Sequence, residues 1–284
     1  MTGCKGLLGN SLVHVLERNY EVIGIDHKTG KSGRDLVVDI SQREPTIESI
    51  EGIAPQIVVH TAGLTDVDYC ELNVGLARRV NVGGTQNVAE ACQRTKAKLT
   101  FISTDYVFDG VKGSYSESDL PNPVNFYGLT KLEAERVAAA SSNSLIIRSS
   151  VLYGWHSTKL NFATWILQSL RKNKKLPIVS DQFNSPTFVD NLSLAISRAI
   201  DRDAKGTLHI AGSERVSRFE FAKRLAIRFN LDEKGLFPVK MGDLNWIAKR
   251  PRDSSLDVRK AEKELSIELF GVERGLEEMS KTEP

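Results

Sequence analysis

The chain is poor in cysteine and has almost no excess of charge of either sign. Its 284 residues include 3 cysteines, Cys4, Cys70 and Cys92, which are widely spaced and form no CxxC pair. This pattern argues against a disulfide framework or a zinc site, and a reducing cytoplasm is its simplest setting. A net charge of +2, from 38 basic and 36 acidic residues, gives no reason to expect nucleic acid as a partner.

Long apolar runs are lacking as well. No stretch approaches the roughly 18 apolar residues that would indicate a membrane helix, and the N-terminus lacks the apolar core of a signal peptide. We therefore expect a cytoplasmic protein that does not enter a membrane, and we assign no metal ligands.

Short apolar runs alternate with helix-period segments through the first half of the chain. Such runs suit strands buried on both faces, and the alternation predicts a parallel sheet with helices on both sides. We predict an α/β fold in which residues 1–150 form a doubly wound, Rossmann-type nucleotide-binding domain. Residues 151–284 form a smaller, mostly helical substrate-binding lobe, some of whose elements return to the sheet. The strand candidates are 21–25, 36–38, 57–59, 99–102 and 145–147 in the first half, and 177–179 and 207–210 in the second.

A glycine-rich loop opens the chain. Gly3, Gly6 and Gly9 have the spacing GxxGxxG ahead of a helix-period segment. Glycines allow a tight turn and let the backbone approach a pyrophosphate closely. The N-terminus of the helix that follows favours the negative charge of this group. Asp26 ends the next strand, where a carboxylate can accept hydrogen bonds from an adenosine ribose. The pattern predicts a dinucleotide site, although a glycine triplet alone is also typical of ordinary loops.

The strand that should precede this loop is missing from the sequence. In a Rossmann sheet that strand is central, yet only Met1 precedes Thr2. We expect the true start to lie upstream or the chain to be truncated. The neighbouring strands would then keep open edges, and cofactor binding would be weak.

Tyr127 and Lys131 are the candidate proton-donating pair. Their spacing of four places both side chains on one face of a helix. A nearby ammonium favours the phenolate, so Lys131 should lower the pKa of Tyr127 below its usual value of about 10. Thr104 follows the strand 99–102, at the sheet edge where ligands bind, and can hydrogen-bond a substrate carbonyl. A chance YxxxK spacing and an ordinary Ser-Thr-Asp turn are the alternative interpretations.

With these features in place, the chain resembles the extended branch of the short-chain dehydrogenase/reductase family over almost its whole length. The matching segments are STDYVFDG from Ser103, NFYGLTKLEAE from Asn125, DQFNSPT from Asp181 and RPRDSSLD from Arg250. The resemblance implies an NAD(P)-dependent oxidoreductase that reduces the C4 keto group of a nucleotide-linked deoxysugar, above all dTDP-4-dehydro-L-rhamnose. It implies that Tyr127 protonates the C4 oxygen while hydride arrives from the nicotinamide, and that Lys131 also holds the ribose.

The resemblance extends to the other site residues. It implies that Thr104, Asp105, Val151 and Arg250 bind the substrate, and a guanidinium such as that of Arg250 can pair with phosphate oxygens. Val151 stands where the family often carries tryptophan, and Asn184 where glycine is common, so the sugar stays open. The expected cofactor-binding set is Gly3, Gly6, Leu7, Leu8, Gly9, Asp26, Asp39, Ile40, Thr61, Ala62, Gly63, Tyr127 and Lys131.

Cofactor preference and function leave alternatives open. Asp26 favours NADH because it would repel a 2′-phosphate, whereas His27, Lys28 and Lys31 could neutralise one. We expect NADPH, with NADH possible, and a nucleotide-sugar substrate bound by a monomer or homodimer. One alternative is a reductase, epimerase or dehydratase of another nucleotide sugar, although Tyr106 stands where a dehydratase would carry a second carboxylate. The other is a non-catalytic, dinucleotide-binding regulatory subunit resembling the methionine adenosyltransferase β subunit.

Overall fold

The computed structural model describes residues 1–28, 35–141 and 143–284. Within these ranges the chain forms an α/β fold with a central parallel sheet, as predicted. None of the helices that they contain is long and apolar enough to cross a membrane.

The first half of the chain alternates strands and helices. In order it contains α1 (Leu7–Leu16), β1 (Ile25–Asp26), β2 (Leu36–Val37), α2 (Arg43–Ile53), β3 (Ile57–His60), α3 (Val67–Leu72), α4 (Val74–Arg78), a π-helical turn (Arg79–Gly83), α5 (Gly84–Thr95), β4 (Lys98–Thr104), a 3-10 turn (Asp105–Val107), α6 (Phe126–Ala139) and β5 (Leu145–Ser149).

The second half is richer in helix but contains several short strands. In order it contains β6 (Leu152–Tyr153), α7 (Phe162–Arg171), β7 (Leu176–Val179), β8 (Phe183–Asn184), β9 (Thr187–Phe188), α8 (Val189–Asp201), β10 (Gly206–His209), β11 (Val216–Ser217), α9 (Arg218–Arg228), a 3-10 turn (Glu233–Gly235), β12 (Leu236–Val239), a second 3-10 turn (Met241–Asp243), α10 (Arg259–Leu265) and α11 (Val272–Lys281).

The central sheet is parallel, and the backbone around Thr2 joins its two parts. One part has the order β10-β5-β4-β3, and the other pairs β1 with β2. Thr2 forms parallel bridges to both Ile25 and His60. Its amide donates to the Val59 carbonyl at 3.0 Å, and the Gly3 amide donates to the Ile25 carbonyl at 2.7 Å. The described residues contain no full strand before the glycine loop, as expected. At Thr2 and Gly3, however, the backbone hydrogen-bonds to both neighbouring strands, β1 and β3, so their edges are not open there.

Helices cover both faces of this sheet, which confirms the doubly wound prediction. On one face α1 and α8 bury Leu12, Leu192 and Ile196 against the strands. On the other, the core includes Val88 of α5 and Phe101 of β4. Because both faces of β3, β4 and β5 are covered, these strands contain continuous apolar runs, which is why they could be recognised from the sequence.

A third core lies under the second half of the chain. Ile166 of α7, Phe221 of α9 and Leu276 of α11 are fully or almost fully buried there. This part also contains short two-stranded pairings that the sequence patterns do not predict: β6 with β9, β7 with β12 and β8 with β11. Strand β10 returns to the central sheet and pairs with β5. The central sheet therefore includes residues from both sides of position 150, although the sequence pattern changes there.

Candidate active site

The glycine loop connects the bridge at Thr2 to α1. Gly3 has a φ of 70°, and a Cβ there would lie 2.6 Å from the Ala62 amide nitrogen. A Cβ on Gly9 would lie 2.1 Å from the Gly3 carbonyl oxygen. Gly6 caps α1 without a side chain, and the first turn of this helix has no acidic residue. The first amides of α1 are thus available to an anion, and the loop fits a pyrophosphate.

Two adjoining cavities open at this edge of the sheet, with volumes of about 910 Å³ and about 490 Å³. Gly6, Thr61, Gly63 and Lys159 line both of them. An elongated ligand can therefore extend from one to the other past the glycine loop.

The larger cavity contains the predicted adenosine-binding residues. The buried carboxylate of Asp26 accepts hydrogen bonds from the backbone amides of Lys5 at 3.1 Å and Lys28 at 3.2 Å. Asp39 and Ile40 line the same cavity. His27 and Lys28 also line it, whereas Lys31 lies outside the described residues. The other predicted cofactor residues in the lining are Gly3, Gly6, Thr61, Ala62 and Gly63.

The smaller cavity contains the predicted reaction centre. Thr104, Tyr127 and Lys131 line it together, next to the start of α1. Asn125 caps α6 by accepting a hydrogen bond from the Gly128 amide at 2.8 Å, which sets the position of Tyr127 in the first turn. The other predicted residues in this lining are Leu7, Leu8, Gly9, Asp105 and Val151.

Tyr127 is a buried phenol, and its surroundings do not favour its ionised form. Burial is the largest effect and raises the pKa of Tyr127 well above its usual value. The Thr104 hydroxyl lowers this pKa, whereas the charge of Asp105 raises it further. The phenol therefore holds its proton firmly.

Lys131 is held by groups other than Tyr127. Its Nζ donates to the Ile102 carbonyl at 2.7 Å and lies 4.1 Å from the centre of the Phe101 ring. Burial lowers the pKa of Lys131 to about 7, while Glu135 acts in the opposite direction. The expectation that Lys131 lowers the pKa of Tyr127 is therefore not met. Burial of the phenol dominates, and the ammonium is directed at a backbone carbonyl.

A buried ion pair supports α6 behind Lys131. Glu135, one turn further along the helix, accepts hydrogen bonds from Arg148 Nε at 2.9 Å and from Arg148 Nη2 at 2.7 Å. Ser103 of β4 also donates to Glu135. These contacts join α6 to β4 and β5 directly behind the reaction centre.

Of the two remaining predicted substrate-binding residues, Val151 lies in the site and Arg250 does not. Val151 lines the smaller cavity and has a φ of 31°, which is unusual for a β-branched side chain. Arg250 lines neither cavity. Its guanidinium pairs with Asp68 at 3.0 Å and lies 5.3 Å from the centre of the Trp246 ring. The structure thus does not bring Arg250 together with the other site residues, and its role as a phosphate ligand stays a prediction.

A different arginine, which was not predicted from the sequence, lies at the site. Arg218, the first residue of α9, lines the smaller cavity. Its Nε donates to Gln182 Oε1 at 2.7 Å, and its guanidinium lies 4.9 Å from the centre of the Phe162 ring. Gln182 lies within the DQFNSPT segment, but nothing in that segment indicated a partner so far along the chain.

The chain matches known proteins over almost its whole length. The model of the family described as the RmlD substrate binding domain matches residues 1–283. The chain belongs to this family, which confirms the resemblance drawn from its motifs.

Three relatives illustrate the similarity. A dTDP-4-dehydrorhamnose reductase from Aggregatibacter actinomycetemcomitans is 31% identical over 291 residues, which cover 97% of this chain and 96% of that protein. Methionine adenosyltransferase 2 subunit beta from Rattus norvegicus is 30% identical over 271 residues, which cover 92% and 80%. The crystal structure of dTDP-4-dehydrorhamnose reductase from Bacillus anthracis in complex with NADP has a TM-score of 0.92 and 31% identity, covering 99% of this chain and 98% of that one.

Proposed function

We propose that this protein is an NADPH-dependent oxidoreductase that reduces the C4 keto group of dTDP-4-dehydro-L-rhamnose to give dTDP-L-rhamnose. The observation that carries the proposal is the meeting of Thr104, Tyr127 and Lys131 in a cavity that adjoins the nucleotide-binding cavity. The names of the reductase relatives from Aggregatibacter actinomycetemcomitans and Bacillus anthracis support the substrate and the cofactor.

The residues of the larger cavity hold the cofactor. The amides at the start of α1 bind its pyrophosphate, and Asp26 binds the adenosine ribose. His27 and Lys28, next to Asp26 in the lining, balance the charge of a 2′-phosphate, so that NADPH is preferred and NADH is accepted. The bound nicotinamide supplies hydride to the substrate.

The residues of the smaller cavity orient the sugar and supply the proton. Tyr127 donates its proton to the C4 oxygen while hydride reaches C4. Thr104 lines the same cavity and binds the sugar. Lys131 holds the cofactor ribose, and Arg218 binds the diphosphate of the substrate. Its Nε donates to Gln182, and its terminal nitrogens form no hydrogen bond with the residues that the structure describes. Orientation of the reacting groups lowers the barrier.

The proposal is tested by following NADPH oxidation with dTDP-4-dehydro-L-rhamnose. The wild type should show substrate-dependent oxidation, and Tyr127→Phe should reduce kcat by about 10²-fold or more, because general acid catalysis is lost. Undiminished turnover by Tyr127→Phe would contradict the proton-donor role. No oxidation by the wild type with this substrate would contradict the sugar assignment, and a panel of other nucleotide-linked 4-keto sugars would then identify the substrate.

A second candidate function rests on the 30% identity to methionine adenosyltransferase 2 subunit beta from Rattus norvegicus. In that case the chain binds a dinucleotide and acts on a partner enzyme without turnover. Co-purification of a methionine adenosyltransferase, together with no turnover of any 4-keto sugar, would favour this function over the reductase.

We also propose a cytoplasmic monomer or homodimer, organised as a nucleotide-binding domain (1–150) and a mainly substrate-binding lobe (151–284), some of whose elements return to the sheet. The three free, buried thiols support a reducing compartment. Sedimentation analysis of the purified protein distinguishes the monomer from the dimer.

A further inference from the structure

Residues 154–161 form a loop that reaches from the second half of the chain to the glycine loop, and we call it the clasp. Both of its ends are fixed. Near its start, Trp155 Nε1 donates to the Met279 carbonyl at 2.8 Å. At its end, Asn161 Nδ2 donates to the Gly154 carbonyl at 2.7 Å and closes the loop. Compact surface loops whose ends lie close together are frequently functional.

The ring of His156 connects the clasp to the glycine loop. Its Nδ1 accepts hydrogen bonds from the backbone amides of Thr158 at 3.2 Å and Lys159 at 3.0 Å, so this nitrogen carries no proton. Its Nε2 carries the ring proton and donates to the Lys5 carbonyl at 3.2 Å. The Lys5 amide in turn donates to Asp26. One neutral imidazole thus ties the turn that carries Lys159 to the loop that carries the expected pyrophosphate site.

Lys159 lies where the two cavities meet. Of the described residues that line both cavities, it alone is charged, and the others are Gly6, Thr61 and Gly63. Its side chain is exposed. Gly6 caps α1, so the first amides of this helix begin at the same junction. An ammonium and a helix N-terminus both favour negative charge. The junction therefore combines two sources of positive potential that are distant along the chain.

We propose that the clasp completes the cofactor site: Lys159 binds the pyrophosphate of the nicotinamide cofactor, and His156 is the positioning residue that holds Lys159 at the glycine loop. This inference rests on the proposed function. The pyrophosphate is the charged centre of the dinucleotide, between its adenosine and nicotinamide ends. Lys159 likewise lies between the cavity that contains Asp26 and the cavity that contains Tyr127.

Two other phosphate groups could bind the same ammonium. The 2′-phosphate of NADPH belongs next to Asp26 in the larger cavity, whereas Lys159 also lines the smaller one. The diphosphate of the substrate belongs next to Arg218 in the smaller cavity, whereas the clasp contributes His156 and Thr158 to the larger one. The position of Lys159 at the junction therefore favours the cofactor pyrophosphate over both.

The test measures the Kd of NADPH, NADH and dTDP by calorimetric titration, without turnover. Lys159→Met keeps an unbranched side chain and removes the charge, so the Kd values for NADPH and NADH should both rise about 10-fold, as expected for a lost charge-assisted contact. Lys159→Arg should restore most of this affinity, and the Kd for dTDP should not change in either variant. Lys175→Met removes the charge of an exposed lysine that lines neither cavity, and this matched control should bind like the wild type.

Variants of His156 separate its two hydrogen-bonding roles. The side-chain oxygen of His156→Asn can replace Nδ1 as the acceptor of the turn, but this shorter side chain does not reach Lys5. His156→Gln can reach the Lys5 carbonyl but does not hold the turn. His156→Ala loses both contacts and should raise the Kd for NADPH by up to about 10-fold, with the other two variants in between. Because His156 acts through Lys159, His156→Ala should add little in the Lys159→Met background.

The outcomes separate this inference from the proposed function. An unchanged Kd for NADPH in Lys159→Met overturns it, as does weakening of NADPH alone, which assigns Lys159 to the 2′-phosphate, or of dTDP alone, which assigns it to the substrate. Additive effects of His156→Ala and Lys159→Met overturn the positioning role. If the wild type binds neither NADPH nor NADH, the inference and the proposed function fail together. If it binds NADPH through Lys159 but reduces no 4-keto sugar, the reductase function fails and the clasp is supported.

Discussion

Replacing Gly9 by alanine should disrupt the fit between the glycine loop and α1. The added Cβ would lie 2.1 Å from the Gly3 carbonyl oxygen and 2.8 Å from the Cys4 Cα. Both neighbours are backbone atoms, so no change of rotamer can relieve the clash, and the loop must move away from the helix. Overpacking of this kind costs about 1–3 kcal/mol in the free energy of unfolding, which corresponds to a fall in Tm of roughly 3–10 °C.

The same displacement should weaken cofactor binding, because the loop and the first amides of α1 are what fits the pyrophosphate. If the displaced loop loses about 1.4–2.8 kcal/mol of binding free energy, the Kd for NADPH rises about 10- to 100-fold. Calorimetric titration with NADPH measures the binding change, and thermal unfolding without cofactor measures the stability change.

Two matched glycine-to-alanine variants distinguish the effect of the clash at Gly9 from the general effect of replacing a glycine. A Cβ on Gly52 of α2 meets nothing within 4 Å, so Gly52→Ala should stabilise the helix by up to about 1 kcal/mol and leave the Kd unchanged. A Cβ on Gly6 would lie 3.3 Å from the Gly3 carbonyl oxygen, and this variant should fall between the other two. If Gly9→Ala bound NADPH like the wild type and unfolded at the same temperature, the close contact of loop and helix could not be what places the cofactor.

Three further predictions concern the reaction centre. Glu135→Gln should lower the free energy of unfolding by about 3–5 kcal/mol, because it leaves the buried Arg148 without its carboxylate; a loss below about 1 kcal/mol in urea denaturation would contradict this. Arg218→Ala should raise KM for the nucleotide sugar about 10-fold, as expected for a lost charge-assisted contact of about 1.4 kcal/mol, and leave the Kd for NADPH unchanged; equal effects on both would argue against a substrate contact. Because the folded-state pKa of Lys131 is lowered from 10.5 to about 7, the unfolded chain binds more protons between these pH values, and stability should rise with pH there. Lys131→Met should flatten this rise in denaturation curves measured across the window, and an unchanged slope would be evidence against the lowered pKa.

Local sequence patterns predicted much of the fold. The run 99–102 lies inside β4 (Lys98–Thr104), and the run 145–147 lies inside β5 (Leu145–Ser149). These strands are buried on both faces, so their composition alone distinguishes them from the amphipathic helices between them. The weaker pairings of the second half were missed because strands of two residues, such as β8 and β11, leave no periodic pattern.

Much of the candidate site was also predictable, for a related reason. The carboxyl ends of parallel strands meet at one edge of the sheet, so the glycine loop, Thr104 and the start of α6 had to lie near one another. Arg218 and Ser254 could not be found in this way. Each reaches the smaller cavity or its lining from the second half of the chain, through contacts with Gln182 and Asp105 that have no signature in the sequence.

Local features of the chain are enough to specify the alternation of strands and helices, the glycine loop, and the identity of the tyrosine, lysine and threonine that carry the proposed chemistry. These features depend on backbone conformation, periodicity and residue type, which are local properties. Three features depend on contacts between distant parts of the chain: the bridge at Thr2 between β1 and β3, the pairing of Arg250 with Asp68, and the pKa shifts of Tyr127 and Lys131. A pKa depends on burial and on neighbours that are distant along the chain, and only the folded arrangement sets both.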